Sequence, residues 1–342
     1  MARKTTTELE RLDLPAEEGV RVVALARIAE VDLAAARLAG GDDGEALHDF
    51  RVGLRRLRTS LRSFRPWLQG GPKKKHERAL GELARATNEA RDAEVQLAWL
   101  AAQRERIPAE KRAGLEWLVG FYGRRKRAGD DLAAPLERWR ALSQALRERL
   151  RAYRRTVRPL SVEPIGKALA GLLRKELAAF REALAAVGGP DDVENAHGAR
   201  IRAKRLRYLL EPLRGYEELG AREAVRTLKD LQDVLGELHD AHVLLVDAAA
   251  ARASRGPGEK PPALANVTRL ARSRRDKLHA KLVSERADGP AVILATQVDL
   301  LATALEARRS TVIPARPAKG KGARAPVSRP PAEKPADGRV MH

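Results

Sequence analysis

HDFRVGLRRLRTSLRSFRPWL, residues 48–68, carries two patterns at once. Wound as a helix at ~100° per residue, it places Phe50, Leu54, Leu57, Leu61, Phe64 and Leu68, with Leu47 just ahead, on one broad apolar side. His48, Arg51, Arg55, Arg58 and Arg62 follow at i, i+3, i+7, i+10 and i+14, so they stack in one line beside that side. A solvated helix face ordinarily mixes signs, because opposite charges at i, i+4 support the helix. No carboxylate occurs here between Arg51 and Leu68. Like charges four apart cost about 0.2–0.5 kcal/mol per pair, so this line calls for negative charge from outside the helix.

The stretch occurs twice. GGDDGEALHDFRVGLRRLRTSL (40–61) aligns without gaps on GPDDVENAHGARIRAKRLRYLL (189–210), with ten of 22 positions identical. On the second copy His197, Arg200, Lys204 and Arg207 form the same line, and Glu211 stands where the first copy has Arg62. Ahead of each helix the spacing predicts a capping box, Asp42 with Glu45 and Asp191 with Glu194.

The doubled motif resembles that of the CHAD domain, the conserved histidine α-helical domain. Its hallmark is a helix that begins at His and runs H-x-x-R-V/I-x-x-R/K-R-L-R, once in each of two four-helix halves. Both copies are intact, at 48–58 and 197–207, and the resemblance covers about residues 12–309. It implies an all-α fold of two pseudo-symmetric four-helix-type bundles and binding of inorganic polyphosphate along a basic groove. The residues implied are His48, Arg51, Arg55, Arg56, Arg58 and Arg62 in the first half, and His197, Arg200, Lys204, Arg205 and Arg207 in the second. The family's second motif is an R-D or N-D pair. Arg91-Asp92 matches it, and His239-Asp240 keeps the acid, which adds Arg91 and His239 as candidate contacts. Many members are fused to a CYTH domain, but its E-x-E-x-K strand does not occur here, so triphosphate chemistry is not implied.

Composition agrees on the class of partner. Sixty-six basic residues against 46 acidic give a formal net charge of +20, which suits a polyanion. Only 16 of the basic residues are Lys; the planar fork of Arg donates paired hydrogen bonds to phosphate oxygens. With no cysteine there is no disulfide framework and no thiolate metal site. The N-terminal MARKTTTELERLDLP lacks the apolar core of a signal peptide. No run of ~18 apolar residues marks a membrane span. A cytoplasmic protein without membrane partners is expected, with association to polyphosphate granules implied by the resemblance alone.

Two other classes compete. A nucleic-acid backbone offers the same phosphates. Single-strand binders, however, interleave aromatics for stacking, and the stripes offer only Tyr208 beside the second copy. Backbone-only binding stays open as the alternative. Glu45-x-x-His48 and Glu194-x-x-His197 have the spacing used by di-iron bundles. Each His, though, starts a line of cations that would repel a metal, and capping accounts for the glutamates. Neither metal nor cofactor is expected. Gly320-Lys321-Gly322 lacks the strand and helix of a phosphate loop, and no nucleophile motif appears, so a binding protein rather than an enzyme is expected.

Along the chain, 1–14 reads as a loose arm, 15–158 and 159–309 as the two halves, and 310–342, rich in Pro, Ala, Lys and Arg, as a disordered tail. Helices are expected at about 16–39, 48–68, 73–106, 109–128, 133–157, 164–187, 193–214, 221–251, 261–287 and 291–309. Val20, Val23, Leu25, Ile28, Val31, Leu33 and Leu38 are the core candidates of the first.

Overall fold

The first helix, α1 (Ala16–Gly40), stops where only glycine is comfortable: Gly41 takes φ 77°, and its N–H closes back on the Leu38 carbonyl. The computed structural model describes residues 12–41, 45–128, 132–156, 163–216, 219–253, 263–287 and 289–307, and among these every regular element is a helix, with no strand. The tail from 310, the arm to residue 11, Pro159 and the expected cap Asp42 lie outside the described residues.

The basic stretch forms α2 (Ala46–Ser63), followed by a 3-10 turn at Arg65–Trp67. Its helix is shorter than the sequence pattern predicts because a proline ring at Pro66 clashes with the carbonyl four residues back. The same device ends α8 (Val193–Leu210), where Pro212 sits in a 3-10 segment over Glu211–Gly215. The expected long helix over 73–106 is two, α3 (Lys74–Ala86) and α4 (Asn88–Gln103). Thr87 divides them: it is buried and its hydroxyl donates to the carbonyls of Leu83 and Ala84 at 3.2 and 3.3 Å. A hydroxyl that competes for carbonyls bends a helix, and here it lets α3 and α4 serve different cores.

Four helices close a ring in the first half: α1, α2, α3 and α6 (Ala133–Thr156). Four close another in the second: α7 (Ile165–Ala185), α8, α9 (Ala221–Ala253) and α11 (Pro290–Glu306). One continuous apolar core runs through both rings, from Phe50, Leu54 and Trp139 to Leu173, Leu206 and Leu301. The rings meet where α1 touches α7 and α2 touches α8. A smaller core lies apart. There α4 and α5 (Ala113–Ala128) of the first half pack on the end of α9 and on α10 (Ala265–Ala287) of the second, around Leu100, Leu118, Tyr122, Leu244 and Val267. Tyr122 donates to Asp247 at 2.8 Å, and Gln96 donates to the Asp240 carbonyl at 2.9 Å. The halves are therefore joined twice, and all described residues belong to one unit, 1–311.

Two details differ from expectation. Leu33 is 66% exposed, because it points about 140° away from Ile28 on the helix wheel. The inner end of the arm is packed: Leu12 is fully buried, its carbonyl accepts from Gly166 N–H at 2.9 Å, and the Leu14 carbonyl accepts from Ile165 N–H at 2.8 Å. No described helix is long and apolar enough to cross a membrane.

Gly53 sets how closely α2 lies on α1, since a Cβ there would stand 2.8 Å from Val31 Cγ2. Replacing it with Ala gains ~0.8–1 kcal/mol of helix propensity but overpacks a buried site at a cost of ~1–3 kcal/mol. Gly53→Ala is therefore expected to lower the urea midpoint. Gly171→Ala, in the exposed interior of α7 with nothing within 4 Å, is expected to raise it.

Candidate polyanion-binding site

The apolar side of α2 faces the core, which leaves its cations turned toward α8 and toward α3 and α4. Arg51 is 3% exposed, with Nη2 3.8 Å from Asp92 Oδ1. Burial, with Arg55 nearby, brings it down to about 10 against the pull of Asp92. Arg55 is half-buried, and its Nε is shut off from solvent without a hydrogen-bond partner. Arg58 shares that state at Nε, and its guanidinium lies over Gly81 of α3, where a Cβ would come within 3.1 Å of it. Arg62 is exposed at the end of the line.

From the other half, Arg200 and Lys204 of α8 come to Arg55. Burial first, then the charges of Arg200, Arg55 and Arg207, bring Lys204 down to about 6. Arg200 is lowered by burial and by Arg55, against Asp240, and its Nε is also shut off without a partner. Further along, Arg205 is lowered by burial and by Arg62, with Glu176 opposing. The two lines are thus neighbours across the seam between halves.

Both histidines that begin the lines are exposed. His197 lies with its ring 5.2 Å from that of His239 on α9, and burial with Arg200 and Lys204 lowers it. His48 is exposed, lowered by burial and by Arg91. No three His, Asp or Glu among the described residues group as a metal would need.

Three expected contacts have partners within the chain. Arg56 and Arg207 both pair with Glu211, at 2.7 and 3.1 Å from Nε to the carboxylate. Burial works against the charge of Arg56, and Glu211 outweighs it. Arg91 pairs with Glu94 at 3.0 Å. The caps also move. Glu45 itself occupies the N-cap of α2, and Asp192 rather than Asp191 caps α8, accepting from Asn195 N–H at 3.2 Å. Asp191 instead pairs with Arg275.

Sequence reasoning places Asp92 and Asp240 in the second motif but gives them no contact; the structure sets them against Arg51 and Arg200. That reasoning left out α3, where Lys74, Arg78 and Arg85 at i, i+4 and i+11 share one face with Gly81.

Residues 23–246 match the family model of the CHAD domain. The chain is similar in fold to the crystal structure of the CHAD domain from the plant Ricinus communis, with a TM-score of 0.58 and 24% identity over 88% of this chain and 94% of that one. No curated protein matches.

His239 provides a test of the electrostatics. Burial, Arg200, His197, Lys204 and His242 bring it down from 6.5 to about 3. The unfolded chain takes up that proton near 6.5 and the folded chain only near 3, so the fold loses stability as pH falls through this window. Its ring is expected to stay neutral at pH ~5 by NMR, well below the ordinary ~6.5. His239→Gln is expected to flatten part of the fall in melting temperature between those pH values.

Proposed function

The chain belongs to the CHAD domain family, and from that premise we propose that it binds inorganic polyphosphate along the seam where α2 and α8 meet. The observation that carries this is the gathering of Arg55, Arg200 and Lys204 from both halves, with the Arg55 and Arg200 Nε donors buried and unbonded. A buried donor without a partner costs ~1–3 kcal/mol, and crowded cations repel. A linear polyanion laid on the seam offsets both, since its oxygens accept from the guanidinium groups and its charge restores the proton on Lys204. Its recurring phosphates suit cations one helical turn apart. The family resemblance selects polyphosphate among polyanions, and the scarcity of aromatics on the stripes favours a polymer without bases. The activity is binding rather than catalysis, in the cytoplasm, with polyphosphate granules as a setting.

Long polyphosphate is expected to bind more tightly than single- or double-stranded DNA of equal total charge at one salt concentration, with affinity falling steeply as salt rises. Equal or tighter binding of DNA in competition overturns the choice of polymer. Arg55→Gln with Arg58→Gln, and separately Arg200→Gln with Lys204→Gln, are each expected to weaken binding about 10–100-fold, equivalent to one net charge-assisted contact of ~1.5–3 kcal/mol. Deleting 311–342 is expected to cost less, because an expected disordered tail loses chain entropy when it binds.

A further inference from the structure

Beyond the seam, the outer end of α2 and the face of α3 enclose a surface pocket of about 610 Å³. Every lining residue is charged. Arg58 and Arg62 come from α2 and Lys74, Arg78 and Arg85 from α3, while Arg65 is paired with the sole lining acid, Glu77. Arg62, Lys74, Arg78 and Arg85 are exposed, so solvent reaches them. Five cations therefore face one space with no carboxylate of their own, and the Nε of Arg58 at its back is buried without a hydrogen-bond partner. Burial, Arg62 and Arg85 all depress Arg58. Gly81 shapes the pocket, because any side chain there would displace the Arg58 guanidinium from the α3 surface. With no aromatic or aliphatic residue in the lining, nothing here stacks on a base or buries an acyl chain.

We propose that this corner of α2 and α3 is a second oligophosphate site, taking a short run of phosphates and, in a long polymer, the part that overruns the seam. Arg58 and Arg62 belong to both places, since Arg205 of α8 feels each of them, so one chain can pass from the seam into the pocket. The opposite exit is different. There Glu211 closes on Arg56 and Arg207, and an acid stands where the first copy has Arg62. The polymer therefore leaves over α3 and not over α9. This path for the polymer rests on the polyphosphate reading above; the anion pocket itself rests on its own lining.

The test compares two triple variants that remove the same charge: Lys74→Gln, Arg78→Gln and Arg85→Gln on α3, against Arg222→Gln, Arg226→Gln and Lys229→Gln on the exposed start of α9. All six side chains are exposed, so both variants keep the core; melting curves verify this, and the single variants Arg78→Gln and Arg85→Gln provide a second reading in the same direction. The full chain is titrated calorimetrically with pyrophosphate and with long polyphosphate. The α3 variant is expected to lose a pyrophosphate binding event that the α9 variant keeps. It is also expected to bind long polyphosphate about tenfold or more weakly, with a salt slope shallower by about 2, as three lost phosphate contacts on a single strand predict. Identical titrations for the two variants overturn the second site. If the parent binds long polyphosphate and both variants match it, the function stands and the pocket falls. If pyrophosphate binding is lost on α3 while the parent ignores long polyphosphate, the pocket stands and the polymer reading falls.

Discussion

Cations must be held together before they can be offered to an anion, and the whole molecule is arranged around that constraint. Alone, α2 and α8 would repel along the lines that face each other. What holds them is the apolar side of each: Phe50, Leu54, Leu57 and Leu61 under one, Ala199, Ala203, Leu206 and Leu210 under the other, none more than 1% exposed. Each large buried side chain contributes ~1.5–3 kcal/mol, whereas a solvated like-charge pair costs only tenths. Apolar burial therefore wins, and the cost to the cations, desolvation first and mutual repulsion after it, shows in protonation. Lys204 near 6 and His239 near 3 are where it is most visible.

Carboxylates are distributed with the same economy. Asp92 stands at Arg51, and Asp240 bears on Arg200, at the histidine end of each line. Glu211 closes on Arg56 and Arg207. Between these anchors Arg55, Arg200 and Lys204 crowd one another, with Asp240 opposing the effect on Lys204. The acids come from α4, α9 and the 3-10 turn after α8. The smaller core that packs α4 on α9 therefore does more than join the halves: it carries Asp92 and Asp240 to the lines they neutralise.

Periodicity made much of this legible. The phase of His48, Arg51, Arg55, Arg58 and Arg62 against Phe50, Leu54, Leu57 and Leu61 is a local property, so the stripe, its doubling and most helix bounds could be read from the chain. What could not be read depends on distant partners. The break at Thr87 follows from two cores that pull α3 and α4 apart. The role of Glu211 needs the approach of Arg56 from another half. The cap of α8 lies one residue from its expected place because Asp191 and Asp192 are adjacent and only tertiary contact sends the first to Arg275. The α3 cations were periodic too, but their relation to Arg58 appears only once Gly81 lets two helices close up.

The backbone bonds that tie Leu12, Leu14 and Ala16 to residues 163–166 have a consequence in time. The earlier segment of that contact leaves the ribosome about 150 residues before its partner, a wait of roughly 8–30 s at ~5–20 residues per second. Until then Leu12 has no pocket, and α1 lacks the neighbour α7 that Gly19 is shaped to receive, a Cβ there standing 2.9 Å from Ile165. The first half is thus born with an open flank. A nascent chain of this protein exposes apolar surface until the second half begins to emerge, even though its finished fold is dominated by local helices.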